Sequence, residues 1–198
     1  MPGLSLGDLV RNGTLSADVA TTLRSAAERR RSYLVIALPR LAGKSTVGKA
    51  MLAVALEGGA PLRELGADGT DVAALAGAAR GGYLYVPEVS EYPVTEGYVW
   101  GAPVRQAFAE IARGTSLSTA LHADSAEDAL AVLRANRVPP GDLAGLELIV
   151  HLRSLGRWQR PARRVVADVH EYGGELRLIH RWDEGRDVFE NVAEPRRI

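Results

Sequence analysis

The sequence contains no cysteine, which excludes a disulfide framework and any site built on thiolates. Lysine is nearly absent too, since Lys44 and Lys49 are the only two in a chain that otherwise uses arginine. No apolar run approaches the roughly 20 residues that a membrane span needs. Residues 1–9 also lack the basic start and long apolar stretch of a signal peptide. We therefore expect a soluble intracellular protein without a transmembrane segment.

The sequence also has no excess of positive or negative charge. The 24 basic residues balance the 24 acidic ones, which argues against a protein that binds nucleic acid through bulk electrostatics. A length of 198 residues with 46% hydrophobic content fits one domain with a real core. We divide the chain into a helical lead-in over residues 1–31, a core over 32–182 and a polar tail over 183–198.

One stretch has the plan of a phosphate-binding loop: an apolar run over residues 33–37, a short loop, Gly-Lys-Ser-Thr at 43–46, and a helix-forming run. Gly43 lets the backbone approach an anion, and the amides that open the next helix point towards it. Lys44 would reach the β- and γ-phosphates, and the Ser45 hydroxyl would hold Mg²⁺. Thr46 stands beside them. The lysine ammonium is a compact point charge that suits a phosphate, and this gives a reason for a lysine at position 44.

Leu38 and Leu41 occupy places in this loop where the usual pattern has glycine. Glycine serves there to adopt positive φ and to keep side chains away from the phosphates. The alternative interpretation is a strand and a helix joined by a chance Gly-Lys-Ser. The flanking strand and helix favour the phosphate-binding interpretation.

Two further strands end in groups that could act on a nucleotide. Residues 83–88 form an apolar run that ends in Glu88, and in phosphate-loop proteins a neighbouring strand delivers an acid to Mg²⁺ or to the attacking water. Glu91 is the poorer candidate. Residues 116–121 form another strand, and His122 follows it on the ligand side of an open α/β sheet. Each residue could equally be an ordinary strand end.

Helix and strand patterns alternate along the chain, which predicts an α/β fold with a mostly parallel sheet flanked by helices. Strand patterns over residues 163–171 and 175–182, joined by Gly173-Gly174, predict a C-terminal antiparallel hairpin. His151, His170 and His180 show no metal-ligand spacing, and we expect them at the surface. Arg29-Arg30-Arg31 is either a solvated helix end or a contact with nucleotide or a neighbouring subunit.

The order of these segments resembles the C-terminal ATPase domain of the secretion and type IV pilus traffic ATPases, especially the Tad-pilus-like branch. Residues 33–46 are similar to the Walker A segment, 83–88 to Walker B, and 115–126 to the histidine box of that family. The resemblance covers about residues 5–180. It implies a RecA-like P-loop core that uses ATP and Mg²⁺, with Glu88 acting on water and His122 reporting on the γ-phosphate. It also implies a homo-oligomer or secretion and pilus components as partners, in the cytoplasm at the periphery of the inner membrane.

The sequence departs from this family at three places: the leucines of Walker A, Pro87 where the family has glycine, and a shortened acidic-box region. Glu57, Asp68 and Asp71 fill that region only in part, and we expect no counterpart of the family's N-terminal domain. The sequence therefore predicts ATP binding with weakened hydrolysis. A catalytically reduced pseudo-ATPase that assists a complete motor, and a small-molecule P-loop kinase, stay open as alternatives.

Overall fold

The computed structural model describes residues 3–38, 41–66, 71–91, 98–157 and 159–196. The strands within these ranges are β1 (Tyr33–Leu38), β2 (Leu62–Glu64), β3 (Tyr83–Val89), β4 (Tyr98–Val99), β5 (Ser116–Leu121), β6 (Leu148–Arg157), β7 (Arg160–Glu171), β8 (Arg177–Asp183) and β9 (Val188–Asn191). The helices are α1 (Leu6–Arg11), α2 (Ala17–Glu28), α3 (Lys44–Glu57), α4 (Val72–Ala78), α5 (Ala102–Ala109), α6 (Ala126–Ala135) and α7 (Pro140–Leu143), with a 3₁₀ turn at Ile111–Arg113.

All of these strands join one sheet in the order β2-β3-β5-β1-β6-β7-β8-β9, and β4 pairs with the end of β3. The strands from β2 to β6 run parallel, whereas β6, β7, β8 and β9 pair antiparallel. The expected α/β class with a mostly parallel core is therefore confirmed. The predicted C-terminal hairpin is part of a longer antiparallel region.

Strand β1 lies at the centre of the sheet and is buried on both faces. Tyr33, Val35 and Ala37 pack into one core cluster, with residues of α1, α2 and α3, while Leu34 and Ile36 pack into the other, with residues of α4 to α7. A strand covered on both faces needs an apolar residue at every position, which explains its continuous hydrophobic run. The sheet is thus sandwiched between two helical layers, and β1 holds the loop that follows it in a fixed place.

Short polar residues set where several helices begin. The side chains of Ser5, Ser16, Asp71 and Ser125 accept hydrogen bonds from backbone N–H groups in the first turns of α1, α2, α4 and α6. These bonds satisfy donors that have no partner within the helix.

Several small elements were not predicted. Strands β2 and β4 have three and two residues, too short for a period-2 pattern to show. Residues 140–143 form a helix of a single turn. Strand β9 pairs with β8 inside the segment that we expected to be an unstructured polar tail.

A buried carboxylate ties the lead-in helix to the C-terminal strands. Glu171 is fully buried and forms ion pairs with Arg31 at 3.2 Å and Arg177 at 2.9 Å. Arg31 also pairs with Glu147 at 3.2 Å. These contacts lie at the beginning of β1, at the opposite end from the Gly-Lys-Ser-Thr segment, so Arg31 has a structural task there.

Two histidines that we expected at the surface are buried. His151 is 6% exposed and its Nδ1 lies 3.0 Å from a carboxylate oxygen of Asp168. His180 is 4% exposed, with its Nε2 2.8 Å from the Thr22 hydroxyl and its Nδ1 2.8 Å from the Asn191 side-chain oxygen. Burial lowers the pKa of His180 because it penalises the charged imidazolium. The surface expectation was wrong because neighbouring elements, such as α2 beside His180, cover these side chains.

None of the helices in the described ranges combines the length and the apolar character that crossing a membrane requires.

Gly82, just before β3, packs directly against Pro61. A Cβ on Gly82 would lie 2.0 Å from the Pro61 carbonyl oxygen, which also accepts the N–H of Tyr83 at 2.8 Å. We expect Gly82→Ala to lower the free energy of unfolding by about 1–3 kcal/mol, since the backbone must shift to make room. Denaturant unfolding followed by circular dichroism measures this change.

Gly77 provides the matched control, because it lies inside α4 and a Cβ there would meet nothing within 4 Å. We expect Gly77→Ala to raise the free energy of unfolding by about 0.5–1 kcal/mol through helix propensity. Equal effects of the two substitutions would contradict the close approach of Gly82 and Pro61.

Candidate functional site

Three neighbouring parallel strands, β3, β5 and β1, deliver side chains to one edge of the sheet. β1 leads into the segment before Lys44, β3 carries Glu88 close to its end, and His122 directly follows β5. The carboxyl ends of parallel strands meet at the same edge, where open α/β sheets bind their ligands. Side chains that are far apart in the sequence are therefore brought into contact.

The loop after β1 ends in a sharp turn that starts helix α3. Gly43 has φ 102° and forms the N-cap of α3, without a side chain that could cap the helix. The Gly43 carbonyl accepts the N–H groups of Thr46 at 3.0 Å and Val47 at 3.1 Å. The left-handed turn explains why α3 begins directly at Lys44. The first amides of such a helix are suited to bind an anion.

Lys44, Glu88 and His122 form a compact charged cluster. The Lys44 Nζ lies 3.4 Å from Glu88 Oε1, and 3.2 Å and 3.4 Å from the two ring nitrogens of His122. His122 Nε2 lies 3.6 Å from the same Glu88 oxygen. Lys44 is only 7% exposed, so its charge has left water and needs a nearby negative group. Glu88 provides that charge.

Pro87 shapes the end of β3 where Glu88 is placed. The pairing of β3 with β5 is irregular between Val86 and Val89. Proline has no N–H to donate to a sheet ladder, and it is therefore found where regular pairing is interrupted. Glu88 lies within this irregular segment and is partly buried, with its side chain 13% exposed. Tyr85, two residues earlier, has its pKa raised mainly by burial and also by Glu64 and Glu88.

The two leucines of the loop are largely exposed. Leu41 adopts φ 67°, a left-handed conformation that costs a branched residue about 1–2 kcal/mol. Its side chain is 63% exposed, and that of Leu38 at the end of β1 is 43% exposed. The backbone at Leu41 therefore takes the conformation that glycine would adopt more easily. Residues 39 and 40 lie outside the described ranges.

A cavity of about 580 Å³ opens over this cluster. Its lining includes the whole predicted phosphate-binding segment, Gly43, Lys44, Ser45 and Thr46, together with Glu88 and His122. The volume lies within the usual range of small-molecule sites. The structure thus brings all six predicted site residues to one cavity.

The oxygen ligands that line this cavity suit an Mg²⁺ ion that is bound together with a phosphate. The Ser45 side chain offers a hydroxyl oxygen and Glu88 a carboxylate, both of the hard oxygen type that Mg²⁺ prefers. Within the described residues, no group of three or more His, Asp or Glu side chains could hold a metal ion. Mg²⁺ usually takes only one or two protein ligands and completes its shell with phosphates and water. Ser45 therefore fits the expected magnesium site.

Two of the three residues considered for the acidic box, Glu57 and Asp71, do not join the cluster. Glu57 is the last residue of α3, at the opposite end from Lys44, and the Asp71 side chain caps α4 by accepting the Ala74 N–H at 2.9 Å. Asp68 lies outside the described residues. Glu91 is exposed and does not line the cavity.

Leu41 and Ala42 of the loop also line the cavity, as do two residues that the sequence analysis did not identify. Tyr98 comes from β4, where it pairs in register with Glu88. Arg164 comes from β7, and its Nε donates a hydrogen bond to the Leu41 carbonyl at 2.8 Å. Arg164 and Leu41 are separated by 123 positions, and a contact over such a distance leaves no local pattern in the sequence.

Comparisons with known proteins bear on the fold. No protein-family model and no curated protein sequence matches this chain. Among solved structures, the VirB11 ATPase from the Brucella suis type IV secretion system, determined in complex with sulphate, is similar with a TM-score of 0.53 and 18% identity. The match covers 83% of this chain and 54% of that protein, so this chain spans about half its length. The chain has a secretion-ATPase-like fold.

Proposed function

We propose that this protein binds Mg²⁺-ATP at the cavity formed by the ends of β1, β3 and β5, and that it is a RecA-like P-loop NTPase domain of the secretion and pilus type. The observation that carries the proposal is the contact of Lys44 with both Glu88 and His122, at the end of a loop that opens a helix N-terminus. The similar fold of a secretion ATPase supports it.

In this proposal the phosphates of ATP take over a charge that Glu88 supplies in the ligand-free protein. The buried Lys44 ammonium binds oxygens of the β- and γ-phosphates, and the first amides of α3 bind the same groups. The Ser45 hydroxyl holds Mg²⁺, which neutralises charge on the phosphates when it is bound. Once Lys44 has a phosphate partner, the Glu88 carboxylate can turn to a water molecule.

The hydrolytic step that we propose uses two of the clustered side chains. Glu88 orients the attacking water and accepts its proton, while His122 contacts the γ-phosphate and senses its loss. The Glu88 carboxylate and the His122 ring lie within 3.6 Å of the Lys44 Nζ and of each other. A γ-phosphate beside Lys44 would therefore lie close to both. Positioned charges of this kind account for much of the catalysis of phosphoryl transfer.

A pseudo-ATPase is the second candidate, and one observation favours it. Glu57 and Asp71 do not reach the cavity. Neither residue can therefore take the place of the acidic box of the secretion and pilus ATPases. Binding without efficient turnover would suit a domain that assists a complete motor. Under either candidate, we propose partners in a ring of identical subunits or in a secretion or pilus machine, in the cytoplasm at the inner membrane.

We expect Lys44→Ala to weaken Mg²⁺-ATP binding by about tenfold or more, because one charge-assisted contact to phosphate is worth roughly 1.5–3 kcal/mol. Isothermal titration calorimetry measures the Kd. Lys49→Ala is the control, since Lys49 is the only other lysine and lies exposed on the same helix. Unchanged affinity in Lys44→Ala would remove the proposed site.

We expect Glu88→Gln to lower phosphate release by on the order of 100-fold while the Kd for ATP stays the same or decreases, because the amide cannot accept a proton from water. A steady-state phosphate-release assay and the titration measure the two quantities separately. Glu91→Gln is the control, because Glu91 is exposed outside the cavity. A parent protein that binds ATP without turnover would establish the pseudo-ATPase.

A further inference from the structure

Arg164 connects the antiparallel part of the sheet with the phosphate-binding loop. It lies on β7, opposite Ser154 of β6, and its Nε donates to the carbonyl of Leu41 at 2.8 Å. A hydrogen bond from a guanidinium is charge-assisted and stronger than one between neutral groups. The bond therefore fixes the orientation of the peptide group that follows Leu41.

The conformation of that turn needs support. Leu41 has φ 67° and Gly43 has φ 102°, so two residues close in sequence are left-handed. Glycine populates this region freely, whereas leucine does so at a cost. The Leu41 side chain is 63% exposed and gains little from burial. The backbone contact made by Arg164 supplies support of this kind.

The stem of Arg164 also packs closely on the loop. A Cβ placed on Gly43 would lie 3.2 Å from the Arg164 Cδ and 3.5 Å from a methyl carbon of Leu152. Gly43, Thr46 and Arg164 line both the cavity of about 580 Å³ and a neighbouring one of about 250 Å³. Arg164 is thus built into the wall beside the proposed phosphate site.

We propose that Arg164 is a positioning residue that holds the left-handed turn at Leu41 in the shape that binds phosphate. It supplies by a side-chain contact what a glycine at position 41 would supply by its own freedom. The proposal rests on the proposed nucleotide site. It assigns Arg164 an effect on affinity through Leu41, without contact to the nucleotide.

A double-mutant cycle between Arg164→Met and Leu41→Gly tests this. Methionine keeps an unbranched apolar stem and removes the guanidinium. In the parent, we expect Arg164→Met to raise the Kd for Mg²⁺-ATP about tenfold, as measured by calorimetry. In the Leu41→Gly protein the same change should raise the Kd less than about threefold, because a glycine at position 41 adopts the turn without help.

Arg163→Met is the matched control for a lost arginine on β7. Arg163 bonds to the Gly13 carbonyl and to Asp187 and lies over the Trp182 ring. We expect it to change the Kd less than about threefold, because none of these contacts involves the loop. An equal loss from Arg164→Met in both Leu41 backgrounds would show direct contact with the nucleotide and overturn the positioning role. No loss in either background would overturn it as well.

A measurement without nucleotide separates this proposal from the proposed function. The amides of Thr46 and Val47 bond to the Gly43 carbonyl directly after the turn. In ligand-free protein, we expect Arg164→Met to speed their hydrogen exchange by about fivefold or more, and the added Leu41→Gly to restore slow exchange. If the parent fails to bind ATP while this pattern holds, the nucleotide proposal fails and the positioning role stands. Unchanged exchange in Arg164→Met would contradict the positioning role directly.

Discussion

A buried ammonium has to be met by negative charge, and this requirement organises the ligand edge of the sheet. Lys44 is held in the first turn of α3 with almost no access to water. Its charge is tolerable because β3 and β5 bring Glu88 and His122 beside it. That meeting depends on the strand order β3-β5-β1, since another order would carry these two groups away from the lysine.

The sequence predicted best what is encoded locally. The strand before the loop, the helix after it and the strands that precede Glu88 and His122 each have a pattern within a few neighbouring residues, and the structure has these elements. The strand over residues 116–121 was predicted with its observed bounds. Parallel strands then bring their carboxyl ends together, so the meeting of Lys44, Glu88 and His122 could be expected as well.

What the sequence could not predict depends on contacts between distant segments. β2 and β4 form because they pair with β3, and β9 forms because it pairs with β8. The burial of His151 and His180 follows from the packing around them, since alternation along a strand does not tell whether its polar face is covered. Arg164 acts on a carbonyl 123 positions away.

The contact between Arg164 and Leu41 has a consequence for how such sequences diverge. Under the proposed positioning role, a leucine in the turn makes the arginine necessary, whereas a glycine there would release the arginine to mutate freely. The two positions should therefore vary together among relatives of this protein: lineages with glycine at the turn should show a wide range of residues on the distant strand, and lineages with a bulky residue should not. One hydrogen bond would in this way leave a trace in an alignment.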